Sequence, residues 1–126
     1  MRKVIQTDTA PQAVGPYSQA IVAAGLVWVS GQIALDPERG VLIAGDIEAE
    51  TRRVLENLRA VLSAADSALE HLVRTTVYLT DLGDFDAVNR VYAEFFPGAP
   101  PARVCIEVCS LPKGARVEID GVAQLS

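Results

Sequence analysis

The fold is decided near the C-terminus by three runs of sequence: PARVCIEV at residues 101–108, LPKG at 111–114 and VEI at 117–119. β-Branched residues dominate the first and third runs, and a Pro/Gly turn signal separates them, which is the pattern of a β-hairpin. One face of this hairpin is aliphatic and carries Val104, Ile106, Val108, Val117 and Ile119. The other face carries Arg103, Cys105 and Glu118, so we expect a cation, a thiol and a carboxylate side by side.

These three side chains could form a small-anion site, although any half-buried strand alternates in this way and the face could be merely solvated. Arg103 suits a carboxylate ligand because a guanidinium donates two parallel hydrogen bonds. Glu118 could orient or deprotonate a water molecule, Tyr17 could close the pocket, and backbone amides near Gly31 or Cys105 could hold a second polar group. Cys105 could be a nucleophile if Arg103 stabilised its thiolate, but a strand cysteine is more often an inert small hydrophobe.

Two amphipathic helices are predicted upstream of this hairpin. Apolar residues recur at helical spacing from about 47 to 65, where Asp46 can cap the first turn. We expect the charged residues of this helix to form a solvated face: Glu48, Glu50, Arg52, Arg53, Glu56 and Arg59. The second helix covers 85–96, with Asp84 as its cap and a core stripe of Phe85, Val88, Tyr92 and Phe95. Asn89 borders this stripe and needs a hydrogen-bond partner if it is buried.

Residues 1–15 are expected to form an edge strand followed by a loop, and three further strands are indicated at residues 17–24, 26–33 and 72–80. A tight hairpin around Ala24-Gly25 joins the first two. The third should be half-buried, with Val73, Thr75, Val77 and Leu79 on one face. The run Ser30-Gly31-Gln32 interrupts its strand, which indicates either a bulge or a close approach of a ligand to the backbone.

The order of elements predicts a single α+β domain over residues 1–126, with two helices packed on one face of a mixed sheet. The opposite face of that sheet would also carry aliphatic residues. We therefore expect another subunit to cover it in a closed homo-oligomer.

Composition narrows the functional classes. The net charge of −5 and the pI near 4.7 disfavour nonspecific binding to nucleic acid, which needs a basic surface. No apolar window is long enough to span a membrane, and Asp8 comes too early for a secretory signal, so a cytoplasmic location is expected.

Metal and cofactor chemistry are also disfavoured. His71 is the only histidine and no CxxC motif occurs. If Cys105 and Cys109 share a strand, they lie roughly 13 Å apart, too far for a disulfide. With no phosphate loop and no dinucleotide fingerprint, we expect a site that needs neither a metal nor a cofactor.

Several blocks of the chain match a known family in order and over nearly its whole length. They are GPYSQA at 15–20, SGQ at 30–32, NL at 57–58, RTTVYL at 74–79, DF at 84–85 with Asn89, Tyr92 and FF at 95–96, PARVC at 101–105, Val108, LP at 111–112 and VEI at 117–119. The chain resembles the reactive intermediate deaminase family, RidA.

The resemblance implies a chorismate-mutase-like fold, a homotrimer and sites in the clefts between subunits. It also implies hydrolysis of 2-imino acids and their enamine tautomers, such as 2-iminobutanoate and 2-iminopropanoate, to 2-oxo acids and ammonia. In this interpretation Arg103 holds the substrate carboxylate, the backbone at Cys105 contacts the reacting nitrogen region and Glu118 positions water. The remaining lining positions are Tyr17, Ser30, Gly31 and Asn89.

Three other functions stay open. The same cleft could sense a small carboxylate in a noncatalytic regulatory trimer. An endoribonuclease or translation inhibitor is a further alternative, which the acidic pI disfavours. A redox-activated holdase would use Cys105 or Cys109 as its switch.

Overall fold

A computed structural model describes residues 1–125 and shows a six-stranded mixed sheet with two helices packed on one face. The strands are β1 (Lys3–Ile5), β2 (Ala20–Ala23), β3 (Leu26–Gln32), β4 (Leu72–Leu79), β5 (Ala102–Glu107) and β6 (Val117–Gln124). The helices are α1 (Ile47–Ala64) and α2 (Phe85–Phe95). The strand order is β1-β2-β3-β6-β4-β5. The predicted single-domain α+β fold, with both helices on one face of the sheet, is confirmed.

The predicted C-terminal hairpin is wrong, because β4 lies between β5 and β6. Strand β5 pairs with β4 in parallel, and β6 pairs with β4 and β3 in antiparallel orientation. The physical reason is the connection through α2, since parallel strands need a long crossover such as a helix. The strand–helix–strand order of residues 72–107 therefore outweighs the turn signal at 111–114.

Helix α1 forms as the sequence predicts. The Asp46 carboxylate accepts a hydrogen bond from Ala49 N at 2.9 Å and caps the helix. The buried stripe consists of fully covered aliphatic side chains: Val54, Leu55, Leu58, Val61 and Leu62. Glu50 is an exception to the predicted solvated face, because it is only 6% exposed. Its carboxylate accepts hydrogen bonds from Arg116 N at 2.7 Å and Arg116 Nε at 2.8 Å, which join α1 to the start of β6.

Helix α2 differs from the prediction at its start. Asp84 makes no capping hydrogen bond with its side chain, and Asp81 instead accepts one from Gly83 N in the preceding 3-10 turn. Phe85 is 38% exposed rather than part of the core, whereas Val91 is fully buried. Val88 and Tyr92 are buried as expected and Phe95 packs against the core, so the predicted stripe is wrong only at Phe85 and lacks Val91.

The strands differ from the prediction mainly at their ends. The tight β2–β3 hairpin is confirmed, with Ala24 at φ 55° and Gly25 at φ 75° in the turn. Strand β2 begins at Ala20, so Tyr17 lies in the preceding loop. Val73 is 48% exposed because the pairing of β4 with β6 shifts register between Leu72 and Arg74.

Candidate functional site

The sheet register places Arg103 and Cys105 beneath the helices. Val77 of β4 pairs with Cys105 on one side and with Ile119 on the other. Side chains of paired residues share a face of the sheet, and Val77 and Ile119 are fully buried in the core. Cys105 packs against this core, and Arg103 shares its face because it lies two residues earlier on the same strand.

Glu118 lies on the opposite, helix-free face of the sheet. Tyr78 of β4 pairs with Ile106 on one side and with Glu118 on the other, so all three side chains share that face. Ile106 is 41% exposed there. The expectation that Arg103, Cys105 and Glu118 share a face is therefore wrong, because the inserted strand changes which positions align.

Arg103 is braced by helix α2. Its Nη1 donates a hydrogen bond to Asn89 Oδ1 at 2.9 Å. The guanidinium carbon lies 4.9 Å from the centre of the Tyr92 ring and 5.7 Å from that of the Phe85 ring, distances typical of cation–π contacts. Arg103 is thus the polar partner that Asn89 needed. A guanidinium has five N–H donors, so the bond to Asn89 leaves donors for a carboxylate ligand.

Cys105 has the environment of a packed thiol. Burial raises its pKa, and the nearby Arg103 only partly opposes that effect. A raised pKa keeps the thiol protonated at neutral pH, whereas nucleophilic cysteines have lowered pKa values. Cys109 lies beyond the end of β5 and is exposed, so the two cysteines do not share a strand.

Glu118 lines a cavity of about 310 Å³ on the other side of the sheet. The polar wall contains Gln12, Tyr17, Gln19, Ser30, Gly31, Gln32 and Glu118. The apolar wall contains Pro11, Val14, Ile33, Leu35 and Pro112. The structure therefore brings Tyr17, Ser30, Gly31 and Glu118 together, whereas Asn89, Arg103 and Cys105 do not line this cavity.

Gly31 gives Glu118 its place in the cavity. The pairing of β3 with β6 is irregular between Val29 and Gln32, so a bulge is present. A Cβ atom on Gly31 would lie 2.8 Å from Glu118 Cδ, closer than real Cβ contacts. Gly31 thus lies at a bulge and also allows the Glu118 side chain to approach the backbone closely.

The Glu118 carboxyl is electrostatically suited to proton transfer. Burial raises its pKa, and repulsion from Asp120 raises it further. Asp120 in turn accepts a hydrogen bond from the Tyr78 hydroxyl at 2.9 Å. A carboxyl whose pKa is shifted towards neutrality, in a cavity, is a candidate acid–base group.

Two lining side chains are already engaged with the protein. The Ser30 hydroxyl donates to Ser18 O at 2.6 Å, so Ser30 holds the segment that carries Tyr17. The Tyr17 hydroxyl accepts from Val14 N at 3.2 Å, and the residue stays 47% exposed at the cavity mouth.

Sequence reasoning missed two buried amides that support the cavity walls. Asn57 is fully buried in α1 and donates to Ile33 O at 3.0 Å and Leu35 O at 2.9 Å. Gln19 is 1% exposed and bonds to the loop before β2. The available signal for Asn57 was an amide inside an apolar helical stripe, since a buried polar group needs partners.

Two other kinds of site are absent from residues 1–125. No group of three or more His, Cys, Asp and Glu side chains there could hold a metal ion. No helix in that part of the chain is long and apolar enough to cross a membrane.

Comparison with known proteins assigns the family. Residues 7–125 match the family model described as endoribonuclease L-PSP. The 2-iminobutanoate/2-iminopropanoate deaminase of Mus musculus is 45% identical over 123 residues, which are 98% of this chain and 91% of the mouse protein. This chain belongs to the RidA family.

Two other relatives match this chain over nearly its full length. Protein DfrA of Myxococcus xanthus is 53% identical over 124 residues, which are 97% of this chain and 95% of DfrA. The solved structure of YyfA from Yersinia pestis, described as a protein of the conserved Rid family, is 46% identical. It superposes with a TM-score of 0.96 and covers 98% of this chain and 99% of that one.

Proposed function

We propose that this protein hydrolyses 2-imino acids and their enamine tautomers, such as 2-iminobutanoate and 2-iminopropanoate, to 2-oxo acids and ammonia. The observation that carries the proposal is the half-buried Glu118 carboxyl, with a raised pKa, in a cavity that Gly31 and Tyr17 help to line. Membership of RidA, together with the deaminase name of the mouse relative, supports this chemistry. A cytoplasmic role in removing reactive imines is part of the proposal.

The reaction needs little beyond positioning and one proton carrier. Arg103 binds the substrate carboxylate through two N–H groups, which holds the C=N carbon beside a water molecule. Glu118 orients this water and accepts its proton as oxygen adds to the carbon. That proton passes to nitrogen and gives a carbinolamine. Glu118 then carries the carbinolamine hydroxyl proton to nitrogen as the C–N bond breaks, so ammonia leaves and the 2-oxo acid remains. Neither a metal nor a cofactor enters this scheme.

Assembly would bring the two halves of the site together. Arg103 and Glu118 lie on opposite faces of one sheet, so we propose that Arg103 of one subunit faces the Glu118 cavity of the next in a homotrimer. The helix-free face offers a contact surface, because Trp28 is 47% exposed, Val104 38% and Ile106 41%. Exposed apolar patches of this kind mark interaction sites.

The description of the family model favours a second candidate, an endoribonuclease. The net charge of −5 opposes it, because RNA binding draws on cationic contacts to phosphates. Cleavage by this protein would have to survive purification and disappear in Glu118→Gln. A noncatalytic sensor of small carboxylates would bind a 2-oxo acid in the same cavity without accelerating imine hydrolysis.

A competition assay tests the deaminase. Threonine dehydratase and threonine generate 2-iminobutanoate, and semicarbazide traps it. Wild-type protein should lower the rate of semicarbazone formation, Arg103→Ala should lose this effect, and Arg39→Ala, a change at an exposed arginine outside the cavity, should retain it. Full activity of folded Arg103→Ala would contradict the anchoring role, and inactive, folded wild type would contradict the deaminase.

A further inference from the structure

Gln19 fastens the loop that forms one wall of the cavity. We call residues 7–17, between β1 and β2, the arm. The Gln19 Oε1 atom accepts from Thr7 N at 2.8 Å, and Nε2 donates to Thr7 O at 3.1 Å and to Pro11 O at 2.8 Å. Because Gln19 is 1% exposed, water cannot replace these bonds without opening the arm.

The same residue also contacts the opposite side of the cavity. Its backbone carbonyl accepts from Ser30 N at 3.0 Å. Ser30 precedes Gly31, whose missing side chain leaves the space that Glu118 occupies. Gln19 therefore fixes the distance between the arm and the strand beside the reacting carboxyl.

The wall that Gln19 holds in place is apolar. Pro11 and Val14 come from the arm, and Ile33, Leu35 and Pro112 complete the apolar lining. The cavity volume of about 310 Å³ exceeds what a carboxylate, an imine and a water need, since a water molecule takes up only about 30 Å³. Among residues 1–125 of the same chain, no lysine or arginine lines this space. An aliphatic substituent is the chemical group that fits it.

We propose that Gln19 is a positioning residue for side-chain recognition. It holds Pro11 and Val14 against the aliphatic side chain of the 2-imino acid, and the protein prefers imines derived from leucine over those derived from alanine. This inference rests on the proposed imine hydrolysis and adds the substrate class that the cavity selects.

The experiment compares the two imines, each generated by an amino-acid oxidase and trapped with semicarbazide, by the ratio of their kcat/KM values. Val14 is 56% exposed, so Val14→Ser should fold normally, and Val41→Ser, at a 47% exposed valine outside the cavity, is the matched control. Val14→Ser should lower the leucine-to-alanine ratio by roughly threefold to tenfold, because one methylene in a pocket is worth about tenfold or more and Val14 is half exposed. Val41→Ser should keep the wild-type ratio.

Gln19→Met tests the hydrogen bonds that hold the arm, because methionine preserves the side-chain length and removes the bonds to Thr7 and Pro11. We expect a higher KM for the leucine-derived imine than in wild type, with kcat for it largely kept, and faster hydrogen exchange at the Thr7 amide. An equal loss on both imines, or an unchanged ratio in Val14→Ser, would overturn the inference while leaving imine hydrolysis intact. Wild type that hydrolyses neither imine would overturn the proposed function and, with it, this inference.

Discussion

Arg103 and Glu118 lie on opposite faces of one β-sheet, although only β4 separates their strands. Arg103 turns towards Asn89 on helix α2, whereas Glu118 turns into the cavity beside Gly31. The cation and the carboxyl of a single chain therefore point away from each other. The proposed mechanism uses both groups and therefore a site between chains, which leads to the first prediction.

Two inactive variants should complement each other. When Arg103→Ala and Glu118→Gln are unfolded together in equal amounts and refolded, a site shared by neighbouring subunits regains both groups in about one quarter of cases. Imine hydrolysis should return to about that fraction of wild type. Refolding either variant with the double variant should restore nothing. Sustained inactivity of a mixed, folded oligomer would show that one chain supplies both groups.

Glu118 should make folding stability depend on pH. Burial raises its pKa in the folded state, so the fold loses stability as pH rises through that value and the carboxyl ionises. Glu118→Gln removes this loss and should unfold at higher urea than wild type at neutral pH, at the same protein concentration. The gap should close below about pH 4, where both forms are neutral. A gap that stays constant across pH would contradict the shift.

A side chain at position 31 should disturb the site. Gly31→Ala places a Cβ 2.8 Å from Glu118 Cδ, so the carboxyl must move. We expect a loss of stability of about 1–3 kcal/mol, as for overpacked sites, and a fall in kcat. Gly98→Ala is the control, because a Cβ there meets nothing within 4 Å. Equal kinetics for the two variants would contradict the steric role of Gly31.

The ion pair of the buried Glu50 with the half-exposed Arg116, just before β6, should matter more than the ion pairs exposed on both sides. Glu50→Ala removes the acceptor of both Arg116 N and Arg116 Nε, and we expect a loss of about 2–4 kcal/mol in the free energy of unfolding. Glu56→Ala breaks an exposed pair with Arg59 and should cost less than about 1 kcal/mol. Urea unfolding of both variants measures the difference, and similar losses would refute it.

The thiol of Cys105 should be dispensable for hydrolysis. Its pKa is raised by burial, so it is a poor nucleophile at neutral pH, and the proposed contact to substrate uses its backbone. Cys105→Ala should keep kcat within about threefold of wild type, with a modest stability loss from the smaller side chain. A drop of about a thousandfold in folded protein would mean that the thiol reacts covalently.

Local sequence patterns predicted the helices and strands better than they predicted which strands pair in the sheet. The apolar spacing and Asp46 cap of α1 depend on residues close in sequence, so that helix begins where expected. Pairing of β5 with β4 depends on the path of α2, which a turn motif at 111–114 does not encode. The predicted grouping of the site residues was wrong for the same reason, because a change of neighbouring strand changes which side chains share a face.

Contacts between distant segments set a second limit on what the sequence predicts. Glu50 belongs to a charged helical run and has the periodicity of a solvated residue, but Arg116 is its partner from a distant part of the chain. Val73 continues a regular alternation that a bulge interrupts. Both exceptions depend on contacts between distant segments, which single-residue propensity does not carry.

The close approach of Gly31 to Glu118 also couples the evolution of two distant positions. A side chain at 31 and a glutamate at 118 compete for the same space, so the effects of changing them are not additive. A chain that acquires a larger residue at 31 must move the carboxyl at 118 out of its present position or lose it. Glycine at 31 is therefore a marker, readable in any aligned relative, of a lineage that still has room for the acid.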